Sequence, residues 1–243
     1  GFDVASEAPL VRGRLLVLGP IEHLLVLVVH HAVIDNWSYQ VVLHDLVQFY
    51  HELPGVGERE RVDFTDIARW QRERLANGSW QRELEYWQGV FSALPTPPRF
   101  RPAAGAPEEL AQAPSPSFAL DRSLVEGLRG LAEQQGVSLF MVLLSVFDLV
   151  VAEATGAREF AVNFPTAGRD VEESQGVVGF LVNNLVHRAA VPTSGTFTEW
   201  LMVVRDNVLD CQASAVFPTS ALPDELAMVR ERVHLGFNLL SAP

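Results

Sequence analysis

The sequence predicts an α/β fold, with α+β as its close variant. Three observations carry this. Short apolar runs bounded by Gly and Pro read as strands. Longer segments with apolar residues at helical spacing, and with caps, read as helices. The two kinds interleave along the chain, with no repeat at a solenoid period.

Taken in order, residues 15–18 and 24–30 are apolar runs separated by Gly19-Pro20, a turn signal, and predict a hairpin. The second run does not alternate, which predicts a central strand covered on both faces. It ends in His30-His31-Ala32-Val33-Ile34-Asp35-Asn36-Trp37-Ser38. From there Val41, Val42, Leu46 and Phe49 follow helical spacing, and Ser38 is the predicted N-cap. Residues 63–75 and 79–91 read as helices broken at Asn77-Gly78, with Trp70, Trp80, Tyr86 and Trp87 as packing anchors. Residues 95–116 hold seven of the 15 prolines and predict an extended connector between two lobes. Residues 1–94 would then end an N-terminal lobe, and 117–243 would form part of a C-terminal one.

Beyond the connector, residues 117–120 read as a short strand, and 122–135 as a helix ended by Gly136. Ser138 caps a strongly apolar helix over 139–154, with Gly156 after it. Residues 159–164 read as a strand leading into the loop 165–170. Residues 177–180 and 185–190 bracket Val-Gly-Phe-Leu-Val-Asn-Asn; 197–213 is helical and 233–240 a strand.

Composition narrows the function. The chain has 243 residues, 48% hydrophobic, enough for a sizeable core. Its net charge of −12 disfavours nucleic acid and anionic membrane surfaces, which require a basic face. No apolar run is long enough to span a bilayer. The single Cys211 provides neither an internal disulfide nor a thiolate metal cage. No Gly-x-Ser-x-Gly elbow, Gly-x-Gly-x-x-Gly fingerprint or phosphate-binding Gly-x-x-x-x-Gly-Lys loop is present.

The chemistry concentrates in His30-His31-x-x-x-Asp35, between a strand and a helix, where side chains are presented to ligands. Strand alternation would send the two imidazoles to opposite sides, one to a cavity and one to the core. Adjacent His on a strand do not converge, which argues against a metal. A neutral imidazole presented here could take a proton from an amine or hydroxyl, or orient it. Asp35 could accept from the loop backbone or pair with a cation.

The His-His-x-x-x-Asp segment resembles the His-His-x-x-x-Asp-Gly signature of nonribosomal peptide synthetase condensation domains. Phe64-Thr65-Asp66-Ile67-Ala68-Arg69-Trp70-Gln71, Tyr86-Trp87, Asn163-Phe164-Pro165-Thr166-Ala167-Gly168-Arg169 and Val178-Gly179-Phe180-Leu181-Val182-Asn183-Asn184 resemble further motifs of that family, in family order. The resemblance runs from about residue 2 to 240. It implies a chloramphenicol acetyltransferase-like, two-lobed fold with the His motif in a tunnel. The chain would be an interior fragment of that domain, incomplete at both ends.

The resemblance further implies an acyltransferase that joins a carrier-bound acyl or peptidyl thioester to the amine of a carrier-bound acceptor. The domain itself would bind no cofactor. Phosphopantetheine would arrive on donor and acceptor peptidyl carrier domains, within a cytoplasmic synthetase with neighbouring domains. His31 would hold the amine or take its proton, His30 would support the loop, and Asp35 would be architectural, paired with Arg169. Trp37 and Ser38 would support the loop, and Gly179, Asn183 and Asn238 would line the tunnel. Asn36 stands where the signature has Gly; Asn tolerates the left-handed turn expected there, but its side chain would occupy space near the reacting carbonyl. Ester-forming, epimerising and catalytically silent recruitment relatives share the scaffold and remain alternatives.

Overall fold

A computed structural model describes residues 2–3, 9–52, 62–100, 117–230 and 232–240. Most of the predicted connector, residues 101–116, lies outside the described residues. The chain packs into two units. The first combines residues 1–81 with a returning segment, 166–183, and the second holds residues 82–165 and 184–241.

The first unit opens with a hairpin. β1 (Val11–Val17) pairs antiparallel with β2 (His23–Val29), in register from Val11 opposite Val29 to Val17 opposite His23. The turn closes through the Glu22 carbonyl, which accepts from the Leu18 and Gly19 amides. The prediction of a central strand fails here. Among the described residues β1 and β2 pair only with each other, and Leu24 to Val28 are 37–52% exposed. An unbroken apolar run reads as burial on both faces, but among the described residues this one lies on the surface.

The strand stops at Val29, and a single 3-10 turn, His31–Val33, leads into α1 (Asn36–Tyr50). The cap of α1 is Asp35, not Ser38: the Asp35 carboxylate accepts from the Ser38 amide, placing Ser38 in the first turn. Both are capping residues by type, and the earlier one wins because it also satisfies the added N-terminal turn. α2 (Phe64–Ala76) carries a reciprocal cap between Asp63 and Asp66. Ile67 on α2 buries against Val177 and Leu181 of the returning segment.

Apart from the end residues Gln81, Thr166 and Asn183, the second unit holds α3 (Gln81–Ser92), α4 (Arg122–Gln135), α5 (Leu139–Thr155), β3 (Glu159–Thr166), β4 (Asn183–Ala190), α6 (Phe197–Ala213), α7 (Asp224–Arg230) and β5 (Leu235–Gly236). The sheet runs β4-β3-β5, with β5 parallel to β3. α5 packs against α4 and α6, and the Trp200 indole of α6 donates to the Ser145 carbonyl at 3.3 Å. α3 packs within this unit. Trp87, fully buried, donates to the Ser214 carbonyl at 2.9 Å, and the Tyr86 hydroxyl reaches the Cys211 thiol.

Two strand predictions shrink. Residues 117–120 are exposed and form no strand, and the strand expected over 233–240 is confined to Leu235–Gly236. α7 was not foreseen, its segment lacking a clear helical apolar period. No single helix among the described residues is long and apolar enough to cross a membrane.

Candidate active site

The site is built within the first unit, around a buried ion pair. Asp35 and Arg169 side chains are 0% and 2% exposed. Arg169 grips the carboxylate with two nitrogens, Nη1 to Oδ2 at 2.6 Å and Nη2 to Oδ1 at 3.1 Å, the bidentate fork that guanidinium geometry favours. The carboxylate also accepts from the Ser38 amide and hydroxyl (2.9 and 2.7 Å) and from the Leu181 amide (2.9 Å). Burial pushes the Asp35 carboxyl up. The Arg169 guanidinium and the Ser38 and Leu181 amides outweigh it and hold the group below its ordinary value.

Arg169 Nη1 also donates to the Ala167 carbonyl and Nη2 to those of Val177 and Gly179, while its buried Nε is left without a partner. The Ser38 hydroxyl lies 3.0 Å from the Gly179 amide, from which it accepts, and 2.9 Å from the Gly179 carbonyl. Two glycines permit this knot. Gly168 has a left-handed φ of 63°, and a Cβ there would overlap the Leu181 carbonyl. A Cβ on Gly179 would overlap the Phe64 ring. Gly179 therefore belongs to the buried brace.

The brace presents His30 and His31, neither of which continues the strand, so pleat alternation does not separate them. Backbone groups do. His31 Nδ1 lies 2.6 Å from the Ile34 carbonyl, which only accepts, so Nδ1 carries the hydrogen. His30 Nδ1 accepts from the Ala32 amide at 3.0 Å, so its hydrogen sits on Nε2. In the neutral rings His31 therefore offers a lone pair at Nε2, and His30 offers an N–H there. The exposed His31 ring also meets Phe180 edge-to-face, with centroids 5.2 Å apart at 81°.

Trp37 is 43% exposed and donates from its indole to the Gln175 carbonyl at 2.9 Å, tying α1 to the returning segment. Asn36 is the first residue of α1, and Glu52 has the only positive φ among described non-glycine residues. No left-handed turn is needed at Asn36, contrary to expectation; replacing Gly here adds an exposed side chain to an ordinary helical position. Asn183 is half-buried at the start of β4, and Asn238 is exposed in the second unit.

The sequence profile of the Condensation domain matches residues 1–239. The chain belongs to the condensation domain family.

Surfactin synthase subunit 1 of Bacillus subtilis (strain 168) is 32% identical over 233 residues, covering 95% of this chain and 6% of that protein. Tyrocidine synthase 3 of Brevibacillus parabrevis is 30% identical over 239 residues, covering 95% and 4%. The condensation domain here thus spans a small part of these curated relatives. Among solved structures, the first condensation domain of the CDA synthetase aligns with a TM-score of 0.71 at 24% identity, covering 96% of this chain and 52% of that one. The X-domain from teicoplanin biosynthesis aligns at 0.74 and 19%, covering 93% and 52%. These likenesses speak to the fold, which is the chloramphenicol acetyltransferase-like one that the motifs implied.

Sequence reasoning missed two features. Phe180 was seen only as a variable position inside its motif, because its contact with His31 is tertiary. In the second unit, fully buried Asp148 of α5 and His187 of β4 meet at 3.0 Å, leaving Asp148 Oδ1 and His187 Nδ1 without partners. A carboxylate midway along a strongly apolar helix is the available signal.

Proposed function

We propose that this condensation domain joins an acyl or peptidyl thioester to the amine of an aminoacyl acceptor, both delivered on phosphopantetheine arms of partner carrier domains. The amine nitrogen attacks the thioester carbonyl, a C–N bond forms and the C–S bond breaks. The His31 Nε2 lone pair accepts the amine hydrogen bond and then its proton, which passes on to the departing thiolate. A thioester is already activated, so alignment of two tethered reactants supplies most of the acceleration, on the order of 7–11 kcal/mol.

The observation that carries this reading is the Ile34 carbonyl on His31 Nδ1, which leaves Nε2 as the accepting atom. Asp35 is saturated by its donors and serves as a brace; Arg169, committed to Asp35 and three carbonyls, does the same. Family membership supports the amide-forming reaction, in a synthetase with neighbouring domains.

The test is a condensation assay with loaded donor and acceptor carrier domains, read by mass spectrometry. His31→Ala is expected to lower product formation by roughly 10²–10⁴-fold, the range for a lost general base, while His30→Ala retains measurable turnover. Equal product from wild type and His31→Ala rejects the catalytic role. No product from wild type with any loaded pair favours a recruitment module instead.

A further inference from the structure

The His31 ring is held at one nitrogen by the Ile34 carbonyl, but a single hydrogen bond leaves the ring plane free to swing about it. A second support is required to aim Nε2, and Phe180 lies where it is needed. Its ring stands edge-to-face against the imidazole. Phe180 is itself aimed from both sides. On one side, the Gly179 amide donates to the Ser38 hydroxyl and its carbonyl accepts from Arg169. On the other, the Leu181 amide donates to Asp35 Oδ2. The backbone flanking Phe180 is therefore clamped by the same buried pair that caps α1.

We infer that Phe180 is the positioning residue for His31, and that the Asp35–Arg169 brace acts on the reaction through it as well as by holding the 30–38 loop. This rests on the reading of His31 as the proton acceptor. The Phe180 ring is 39% exposed, so its truncation removes little packing. A ring aimed only by Ile34 would sample misdirected orientations, and a misplacement of about 1 Å is worth up to about 10²-fold in rate.

The experiment compares wild type, Phe180→Ala, Phe180→Leu and Phe180→Tyr by two readouts. The first is the ring 13C/15N NMR spectrum of labelled histidine, with His31 assigned through His31→Ala. The second is steady-state condensation with loaded carrier domains. Phe180→Ala and Phe180→Leu are expected to broaden or shift the His31 ring signals and to lower kcat about 10- to 100-fold, with KM for the carrier substrates within about twofold. Phe180→Tyr, which keeps the aromatic face, is expected to restore both. Wild-type His31 signals and kcat in Phe180→Ala overturn the inference, as does equal impairment of Phe180→Ala and Phe180→Tyr. If wild type itself forms no product, the catalytic reading fails, and the NMR arm still decides whether Phe180 orients the ring.

Discussion

At the scale of the residue, Asp35 is the most constrained side chain of the site. Asp35→Ala leaves the Arg169 guanidinium buried and unpaired, and the expected loss is about 3–5 kcal/mol in denaturant unfolding. The acid dependence follows from the lowered Asp35 pKa. A carboxyl held below its ordinary value of 3.8 contributes stability that is fully present above that value and is lost as pH falls through the lower folded value. The stability gap between wild type and Asp35→Ala should therefore be flat above about pH 5 and close below about pH 4; a gap unchanged down to pH 2 would contradict the pairing. The His-His-x-x-x-Asp cluster was legible because it is contiguous. Its partner Arg169, 134 positions away from Asp35, came only through a second motif. The opposite tautomers of two adjacent imidazoles were not legible, since they depend on how the loop turns its Ile34 and Ala32 backbone groups.

At the scale of the element, helices were read well where caps punctuate them. α4 and α6 match their predicted bounds, and α5 differs by one residue. Apolar runs were read less well, because an unbroken run is compatible with any environment that tolerates it. The join between α5 and β4 makes a measurable prediction. Burial raises the Asp148 carboxyl, and the His187 hydrogen bond only partly offsets it. His187→Leu leaves Asp148 buried without its partner and should cost about 3–5 kcal/mol, whereas Asp148→Leu with His187→Leu should recover most of that. Urea unfolding of the single and double variants decides it; equal losses in both would mean that packing volume, not the pair, holds the two elements together.

At the scale of the whole molecule, composition indicated a sizeable core, and the second unit has one, with Trp87, Phe91, Phe160 and Leu201 fully enclosed. The first unit distributes its apolar residues differently. Leu15, Leu16 and Val17 of β1, Leu24 to Val28 of β2, and Leu43, Leu46, Val47 and Phe49 of α1 are all exposed. Among the described residues nothing covers them, and the chain spans 52% of the solved condensation domain it aligns with. Surface of this kind binds hydrophobic dyes and drives association. The 243-residue chain should enhance ANS fluorescence and self-associate with rising concentration in light scattering, and Leu25→Lys with Leu27→Lys should reduce both. A dye-silent, strictly monomeric chain would contradict the exposed hairpin.

The hairpin also has a meaning for protein quality control. Chaperones and proteases survey the cell for extended apolar segments with unsatisfied strand edges. In the 243-residue chain taken alone, the described residues of β1 and β2 display an exposed apolar segment. For the 243-residue chain taken alone, resistance to proteolysis would then depend on that hairpin, and the His30–Ser38 loop, which begins one residue after β2, would share its fate.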